Sequence, residues 1–246
     1  MKKILAAFVL FAAATGVFGQ SEFFDLVTKG SVKQIEGALK SGAAVNEKGF
    51  NGRRPLMAAA EYNTLPEAIA ALVKAGAKVD DKDTQGMTAL MYAVQSNKNP
   101  KVAEALIKAG ARLEDRDMSG NTPLLIALRM DKSQELVALL LKAGARIDVV
   151  DKDSLTCLMV SSAYGTKPAV LQALLKAGAR IDEATADGVT ALMCAAAYTT
   201  NPETVLVLLK SGANRHLKDK TGASAADYSK DNKTLQGTAA FKELVK

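Results

Sequence analysis

Few residues in this 246-residue chain are able to do chemistry, and they do not gather at a spacing that chemistry needs. His216 is the single histidine, and Arg215 and Lys218 are charged neighbours in the same predicted turn. A metal site or a nucleophile–base pair needs further groups at a fixed spacing, and none recurs around this histidine. The sequence has no phosphate-binding loop and no dinucleotide fingerprint. We therefore predict that the chain is not an enzyme and holds no metal or cofactor.

Cys157 and Cys194 are the two cysteines, and they leave two interpretations open. A pair of cysteines in an oxidising compartment can form a disulfide. The two residues stand at different positions in neighbouring copies of the repeat described below, which favours two small buried thiols. A bridge or a redox-active thiol is the alternative.

The composition is that of a globular protein whose core is built from small and aliphatic side chains. Apolar residues make up 48% and charged residues 24% of the chain, whereas aromatic residues make up only 5% and tryptophan is absent. Without Lys2 and Lys3 the balance is 30 basic to 26 acidic residues. That excess is too small, over this length, to predict a nucleic-acid partner.

The first residues have the pattern of a secretory signal peptide. Lys2 and Lys3 precede an uncharged apolar run over residues 4–18, and small residues follow it. The run is shorter than the roughly 18–20 residues that a membrane-spanning helix needs, which favours a cleaved signal over an uncleaved anchor. We predict a signal peptide over 1–19, a periplasmic or secreted protein, and no membrane span in the mature chain.

One pattern recurs every 34 residues along almost the whole sequence. A Gly-Ala pair marks each copy, and these pairs begin at Gly42, Gly76, Gly110, Gly144, Gly178 and Gly212. Turn glycines recur with the same period at Gly52, Gly86, Gly120, Gly188 and Gly222, with Ser154 in one position. Segments such as Thr88-Ala89-Leu90-Met91 then open an apolar run. This self-similarity predicts a repeat protein in which each unit buries its apolar face against its neighbours.

The repeat resembles that of the ankyrin-repeat family, whose pattern Gly-x-Thr-Pro-Leu-His-x-Ala-Ala precedes a second helix ending in Leu-Leu-x-x-Gly-Ala. The resemblance covers residues 21–246, with 34 residues per repeat where 33 are usual. Together with the predicted signal peptide and the Met-Lys-Lys start, it indicates an exported, bacterial-type variant. It implies an all-α repeat solenoid of helix–turn–helix units joined by β-hairpin-like turns. We predict an ankyrin-repeat domain over 20–246, with an N-terminal capping repeat over 20–48, five full repeats over 49–218 and a C-terminal capping repeat over 219–246.

The copies depart from the family pattern at the histidine of the motif. Methionine or leucine replaces it at Met57, Met91, Leu125, Met159 and Met193. We predict that the four methionines of this column lie in the core between repeats. Because the family histidine hydrogen-bonds within its turn, we also expect these turns to lose one polar tie. The extra residue of the longer repeat falls in the turn between the two helices.

Residues suited to helix ends recur with the same period. Proline, which fits the first turn of a helix, opens the second helix of most copies at Pro66, Pro100, Pro168 and Pro202. Asn99, Ser133 and Asn201 are predicted helix caps. A lysine that complements the helix dipole closes each second helix, at Lys40, Lys74, Lys108, Lys142, Lys176 and Lys210. In the last copy we expect a helix around residues 235–245.

The resemblance also implies where a partner binds. Ankyrin-like proteins bind through a concave surface made of hairpin tips and the first helix of each repeat. The corresponding positions here are Phe50, Arg53, Glu61, Tyr62, Gln85, Met87, Met118, Asn121, Arg129, Met130, Lys152, Leu155, Tyr164, Asp187 and Tyr198. Several are aromatic residues, methionine or arginine, the types that protein interfaces favour. For Tyr62, Tyr164 and Tyr198 the alternative is that they only pack over the neighbouring helix.

These observations predict a monomeric, exported module that binds another protein, of unknown identity, through the concave face of the solenoid. One alternative is a secreted effector that targets a host protein through the same surface. A second is a structural spacer without specific recognition. A spacer predicts bland, interchangeable hairpin tips, and the phenylalanine, methionine and tyrosine residues at the tips and helix ends argue against it.

Overall fold

The computed structural model describes residues 20–130 and 134–246, which form fourteen α-helices and two short 3₁₀ helices and contain no β-strand. The predicted signal peptide over 1–19 and the predicted cap Ser133 lie outside the described residues. None of the helices in the described ranges is long and apolar enough to cross a lipid bilayer.

The chain divides into two compact units, the first ending at Met118 and the second beginning at Ser119. The first contains α1 (Gln20–Lys29), α2 (Val32–Lys40), α3 (Pro55–Tyr62), α4 (Pro66–Lys74), α5 (Ala89–Ser96) and α6 (Pro100–Lys108). The second contains α7 (Pro123–Arg129), α8 (Gln134–Lys142), α9 (Cys157–Ala163), α10 (Pro168–Lys176), α11 (Ala191–Tyr198), α12 (Pro202–Lys210), α13 (Ala225–Tyr228) and α14 (Ala239–Leu244). The 3₁₀ helices are Phe50–Gly52 and Ser229–Asp231.

Helices pack on the corresponding helices of the next copy within each unit. In the first unit α1, α3 and α5 form one row, and α2, α4 and α6 form a second. In the second unit the rows are α7, α9, α11 and α13, and α8, α10, α12 and α14. The two helices of each pair also contact each other. This stacking of helix pairs is the predicted all-α repeat architecture, and isolated bridges such as that between Val150 and Thr156 mark the hairpin-like turns.

The helix ends predicted from the prolines, asparagines and lysines are confirmed wherever the structure describes them, whereas the last helix is shorter than predicted. The four prolines are the first residues of α4, α6, α10 and α12, and all six lysines are the last residues of their helices. The Asn99 side chain accepts a hydrogen bond from the Lys101 backbone N–H, and Asn201 accepts one from Glu203 N–H. The last helix begins only at Ala239, because Gly237 has a positive φ of 76° and Thr238 caps the helix behind it.

The methionine column forms part of the core, as predicted. Met57, Met91, Met159 and Met193 are each at most 1% exposed. The expected loss of a hydrogen bond is wrong at two of these turns. The Arg54 backbone N–H donates to Met57 Sδ at 3.3 Å, and the Thr190 N–H donates to Met193 Sδ at 3.4 Å. A thioether is a weak acceptor, so sulfur partly replaces the imidazole that the family pattern places there.

The cysteines are two separate buried thiols, which confirms the favoured interpretation. Neither Cys157 nor Cys194 takes part in a disulfide, and both side chains are buried. Burial raises the pKa of the Cys194 thiol to about 11. At neutral pH this thiol therefore carries very little of the reactive thiolate form.

A ladder of asparagines, which the sequence reasoning missed, ties the turns between paired helices to the preceding copy. Asn97 Nδ2 donates to the carbonyl oxygens of Ala60 at 2.8 Å and Asn63 at 3.0 Å. Asn63 Nδ2 donates in the same way to Val27 O at 2.9 Å and Gly30 O at 3.2 Å. The turn with the extra residue is therefore a hydrogen-bonded joint between copies.

Asn63→Ala is expected to lower the free energy of unfolding by about 2 kcal/mol, because it leaves two carbonyl oxygens and the Leu65 N–H without this partner. Urea denaturation followed by circular dichroism measures the change. Thr64→Ala, at the exposed neighbouring position, is the matched control and should stay within about 0.5 kcal/mol of wild type. Equal losses for the two variants would show that the buried amide adds nothing to the joint.

Candidate functional site

An aspartate holds the hairpin tip of several repeats in shape. Asp83 Oδ1 accepts hydrogen bonds from Gln85 N–H at 2.8 Å and Met87 N–H at 2.9 Å. Asp151 and Asp219 make the same pair of bonds in the second unit. Sequence reasoning missed this role. The available signal is an aspartate three residues before the turn position in these copies.

In the first unit one arginine lies between two tyrosine rings, in what we call the arginine cluster (Arg53, Glu61, Tyr62, Asp83 and Tyr92). The Arg53 guanidinium carbon lies 4.5 Å from the centre of the Tyr92 ring and 5.5 Å from that of Tyr62. Arg53 also forms an ion pair with Glu61. A cation over a tyrosine face is attracted by the ring's quadrupole, and the nearby carboxylate adds a charge–charge attraction.

Asp83 fixes the position of one of these rings. The Tyr92 hydroxyl donates to Asp83 Oδ2 at 2.6 Å. Burial, and then this hydrogen bond to a carboxylate, raise the pKa of Tyr92 well above its usual value. The hydroxyl therefore stays protonated as a donor, and the ring remains in place beside Arg53.

In the second unit Arg129 joins a hairpin to the end of a helix. Its guanidinium forms an ion pair with Asp151, whose side chain is fully buried. It also donates to Asn121 Oδ1 at 3.0 Å and to the Tyr164 hydroxyl at 2.9 Å. These contacts bring three sequence-predicted residues together, and they engage Arg129 inside the protein.

An open groove of about 710 Å³ lies beside this arginine, and we call it the tyrosine groove. Three tyrosines line it, Tyr164, Tyr198 and Tyr228, and exposed carboxylates are contributed by Asp153 and Asp187. Its other lining residues include Leu155, Val189, Met193, Cys194 and Ala197. A concave surface that combines apolar and aromatic walls with a few polar groups is typical of a binding site.

The tyrosine groove repeats the aspartate–tyrosine pair of the first unit. The Tyr228 hydroxyl donates to Asp219 Oδ2 at 2.6 Å. This bond, followed by that from the Thr221 hydroxyl, lowers the pKa of Asp219 to about 2. The same contact with Asp219 raises the pKa of Tyr228 to about 12.

Most of the predicted contact residues are accessible. Phe50 is 87% and Tyr198 is 70% exposed. Tyr62, Met118, Met130 and Tyr164 are exposed as well, as are Gln85, Lys152 and Asp187, while Arg53, Glu61, Arg129 and Leu155 are partly buried.

Two of the predicted contact residues are buried. Met87 is 8% exposed and Asn121 is 8% exposed. In both copies the residue after the turn glycine is covered by the protein. The Met87 backbone is held by Asp83, and the Asn121 amide oxygen accepts its hydrogen bond from Arg129. Neither side chain is available to a partner.

Tyr228→Phe should raise the pKa of Asp219 from about 2 toward its unperturbed value near 4, because the strongest bond to the carboxylate is lost. Carboxylate ¹³C shifts followed in a pH titration measure this pKa. Because the pKa of Asp219 is lower in the folded state, its carboxylate stabilises the fold above about pH 4, and this stabilisation is lost as pH falls through about 2. The variant should therefore lose less stability over that window than wild type.

Tyr198→Phe serves as the control, since its hydroxyl makes no hydrogen bond to Asp219 in the structure. It should leave the pKa of Asp219 unchanged. Identical values for wild type and Tyr228→Phe would contradict the assigned hydrogen bond.

The fold and these surfaces define a class of protein: stacked two-helix repeats that display side chains on hairpins and helix ends. No group of three or more histidine, cysteine, aspartate or glutamate side chains that could hold a metal ion occurs in the described ranges. The family model described as ankyrin repeats (3 copies) matches the chain in three overlapping segments, over residues 12–117, 56–151 and 124–219. The chain therefore belongs to the ankyrin-repeat family.

Solved structures agree with this assignment. The ankyrin repeat domain of Bcl-3, described as a unique member of the IkappaB protein family, is similar with a TM-score of 0.73 and 26% identity, covering 89% of this chain and 98% of that one. The human ASB11 ankyrin repeat domain is similar in fold with a TM-score of 0.77 and 23% identity, covering 91% of this chain and 96% of that one. No curated protein sequence matches the chain.

Proposed function

We propose that this protein is an exported, non-enzymatic interaction module that binds another protein through the concave face formed by its hairpin tips and first helices. The ankyrin-repeat fold is a general protein–protein interaction module, which supports the choice of a protein partner. The mature chain acts as a monomer, in the periplasm or after secretion, once residues 1–19 have been removed.

The observation that carries this proposal is the set of large apolar side chains held in water. Phe50, Tyr62 and Met118 in the first unit are 87%, 56% and 73% exposed. In the second unit Met130, Tyr164 and Tyr198 are 48%, 48% and 70% exposed. Each lies at a hairpin or at the end of a first helix. Aromatic and methionine side chains at such positions gain the most free energy when a partner covers them.

The same observation bears on the two alternatives. A structural spacer has no reason to keep six large apolar side chains in solvent, where they favour aggregation. A secreted effector that targets a host protein uses the same surface. The location of the protein therefore distinguishes this alternative from a module that binds another envelope protein. Recovery of the mature protein only from the culture medium would favour the effector.

Affinity capture tests the proposal directly. The purified protein is used to capture partners from the native envelope fraction and from the medium, in parallel with the Tyr164→Ala/Tyr198→Ala variant. A tyrosine that acts as a binding hot spot costs about 2 kcal/mol or more when it is truncated. We therefore expect the double variant to lose at least tenfold in recovery of the specific partner.

Val245→Ala is the matched control, because Val245 is 52% exposed but lies at the end of the last helix, away from the hairpins. It should retain full recovery. Unchanged recovery of every partner by the tyrosine double variant would refute the assignment of the face. N-terminal sequencing of the exported protein tests removal of residues 1–19.

A further inference from the structure

The tyrosine groove and the arginine cluster are built from equivalent residues four repeats apart. Adding 136 to Tyr62, Asp83 and Tyr92 gives Tyr198, Asp219 and Tyr228. The equivalence extends to geometry, because the hydroxyl of the second tyrosine donates to the aspartate at 2.6 Å in both places. Each unit therefore carries one tyrosine fixed by an aspartate and a second, exposed tyrosine at the end of a first helix.

The two sites differ in the group that lies between the rings. In the first unit the Arg53 guanidinium lies over both rings and pairs with Glu61. The equivalent residues in the second unit are Val189 and Ala197, which both line the open groove. The second site therefore has the same two tyrosines and aspartate, with small apolar side chains at the positions of the cation and its counter-ion.

We propose that the tyrosine groove receives an arginine side chain of the partner protein, in the place that Arg53 takes in the arginine cluster. The guanidinium stacks between Tyr198 and Tyr228, and its stem lies along Val189 and Ala197. This proposal rests on the proposed function, because the arginine belongs to the bound protein.

Charge in the groove matches this occupant. Asp153 and Asp187 contribute exposed carboxylates to the lining. Asp187 has one basic neighbour, Lys220, whose Nζ lies 3.6 Å away in a pair that is exposed on both sides and therefore weak. The single basic residue of the lining, Arg129, is already paired with the buried Asp151. An entering cation thus meets two rings and two accessible carboxylates.

Arginine is favoured over lysine by shape. The guanidinium is planar, stacks on aromatic faces and can donate two parallel hydrogen bonds to a carboxylate. A lysine ammonium is a compact, strongly hydrated charge that matches the space between two rings less well. Arg53 shows that the fold accommodates a guanidinium at this position.

Fluorine NMR of the protein labelled with 3-fluorotyrosine tests the site without knowledge of the partner. The chain has five tyrosines, so each resonance is assigned by a Tyr→Phe variant. The probes are Nα-acetyl-arginine amide, its neutral isostere Nα-acetyl-citrulline amide, and the apolar Nα-acetyl-norleucine amide. We expect the arginine probe to shift Tyr198 and Tyr228 at about tenfold lower concentration than either neutral probe.

Two variants make the test specific. Val189→Arg should place an internal cation in the groove and abolish the response of Tyr198 and Tyr228. Asp187→Asn, a milder change at an exposed side chain, should weaken the response to arginine several-fold and leave the response to citrulline unchanged. The resonances of Tyr62 and Tyr92 should not respond in wild type, because Arg53 already lies between those rings.

Equal shifts of Tyr198 and Tyr228 with the arginine and citrulline probes, or no shift of either resonance, would refute the proposed arginine site. If a captured partner still binds Val189→Arg at full strength, its arginine does not enter the groove and the inference fails while the proposed function stands. If the Tyr198 and Tyr228 resonances respond to the arginine probe but no specific partner is captured from any fraction, the groove is a cation site and the proposed function fails.

Discussion

Asp151→Ala is expected to lower the free energy of unfolding by about 3–5 kcal/mol, one of the two largest effects that the structure predicts. The Asp151 side chain is fully buried and forms an ion pair with Arg129. Its other oxygen accepts hydrogen bonds from the backbone N–H groups of Asp153 and Leu155, both at 2.9 Å. Alanine leaves a partly buried guanidinium without its charge partner and two hairpin amides without an acceptor.

Two substitutions bracket this effect. Asp151→Asn keeps an acceptor oxygen for the hairpin amides and removes only the charge, so it should cost about 1–2 kcal/mol. Asp153→Ala removes a carboxylate that is exposed on the same hairpin, and it should stay within about 0.5 kcal/mol of wild type. Urea denaturation measures all three. A loss below about 1 kcal/mol for Asp151→Ala would mean that this aspartate does not hold the hairpin.

The second large effect is expected for Gly188→Ala, which should cost about 3 kcal/mol. Gly188 has a φ of 85°, and a Cβ at this position would lie 2.9 Å from the Asp219 Cα and 3.3 Å from the Lys218 carbonyl oxygen. Both contacts are with backbone, which cannot move aside as a flexible side chain would. The substitution therefore combines left-handed strain of about 1 kcal/mol with displacement of the adjacent hairpin.

Gly222→Ala separates these two causes. Gly222 has nearly the same φ of 84°, but a Cβ there has nothing within 4 Å. Its substitution should cost about 1 kcal/mol from backbone strain alone. Thermal unfolding of both variants gives the difference, which reports the close approach of neighbouring hairpins. If the two variants lose the same stability, that approach does not constrain the fold.

The Gly188→Ala substitution acts on two adjacent hairpins that support the tyrosine groove. Asp187, next to Gly188, contributes a carboxylate to the groove, and Asp219 holds the Tyr228 ring. Displacing either hairpin should therefore also weaken recognition at the groove. The stability of the repeat and the shape of its binding surface depend on the same backbone contacts.

The fold was predictable because residues with strict conformational requirements recur at the same positions in nearly every copy. The glycine two residues after the helix-ending lysine has a positive φ, as at Gly76 with a φ of 91°. Within a helix, a proline such as Pro66 fits only the first turn. These requirements are local, so residue type and spacing reveal them without knowledge of the neighbours. The burial of the methionine column followed from the same periodicity.

The site was predictable only in outline. The 34-residue spacing located the hairpin tips and the exposed ends of the first helices, including Phe50 and Tyr198. It did not show that Met87 and Asn121 are buried, because the exposure of a side chain after a turn depends on what the adjacent residues cover. It also gave no sign that Asn63 would bond to carbonyl oxygens more than thirty residues earlier.

By itself the sequence determined the helix pairs, their ends, the stacking period and the residue types available at the tips, because these depend on interactions between residues close in the chain. The tertiary structure alone decided which charges are already neutralised inside the protein. Arg53 and Arg129 both looked like free contact residues, yet one lies between two tyrosines beside Glu61 and the other is paired with Asp151. Packing of one copy on the next brings Tyr92 to Arg53 and Asp151 to Arg129, and it leaves the groove beside Val189 open.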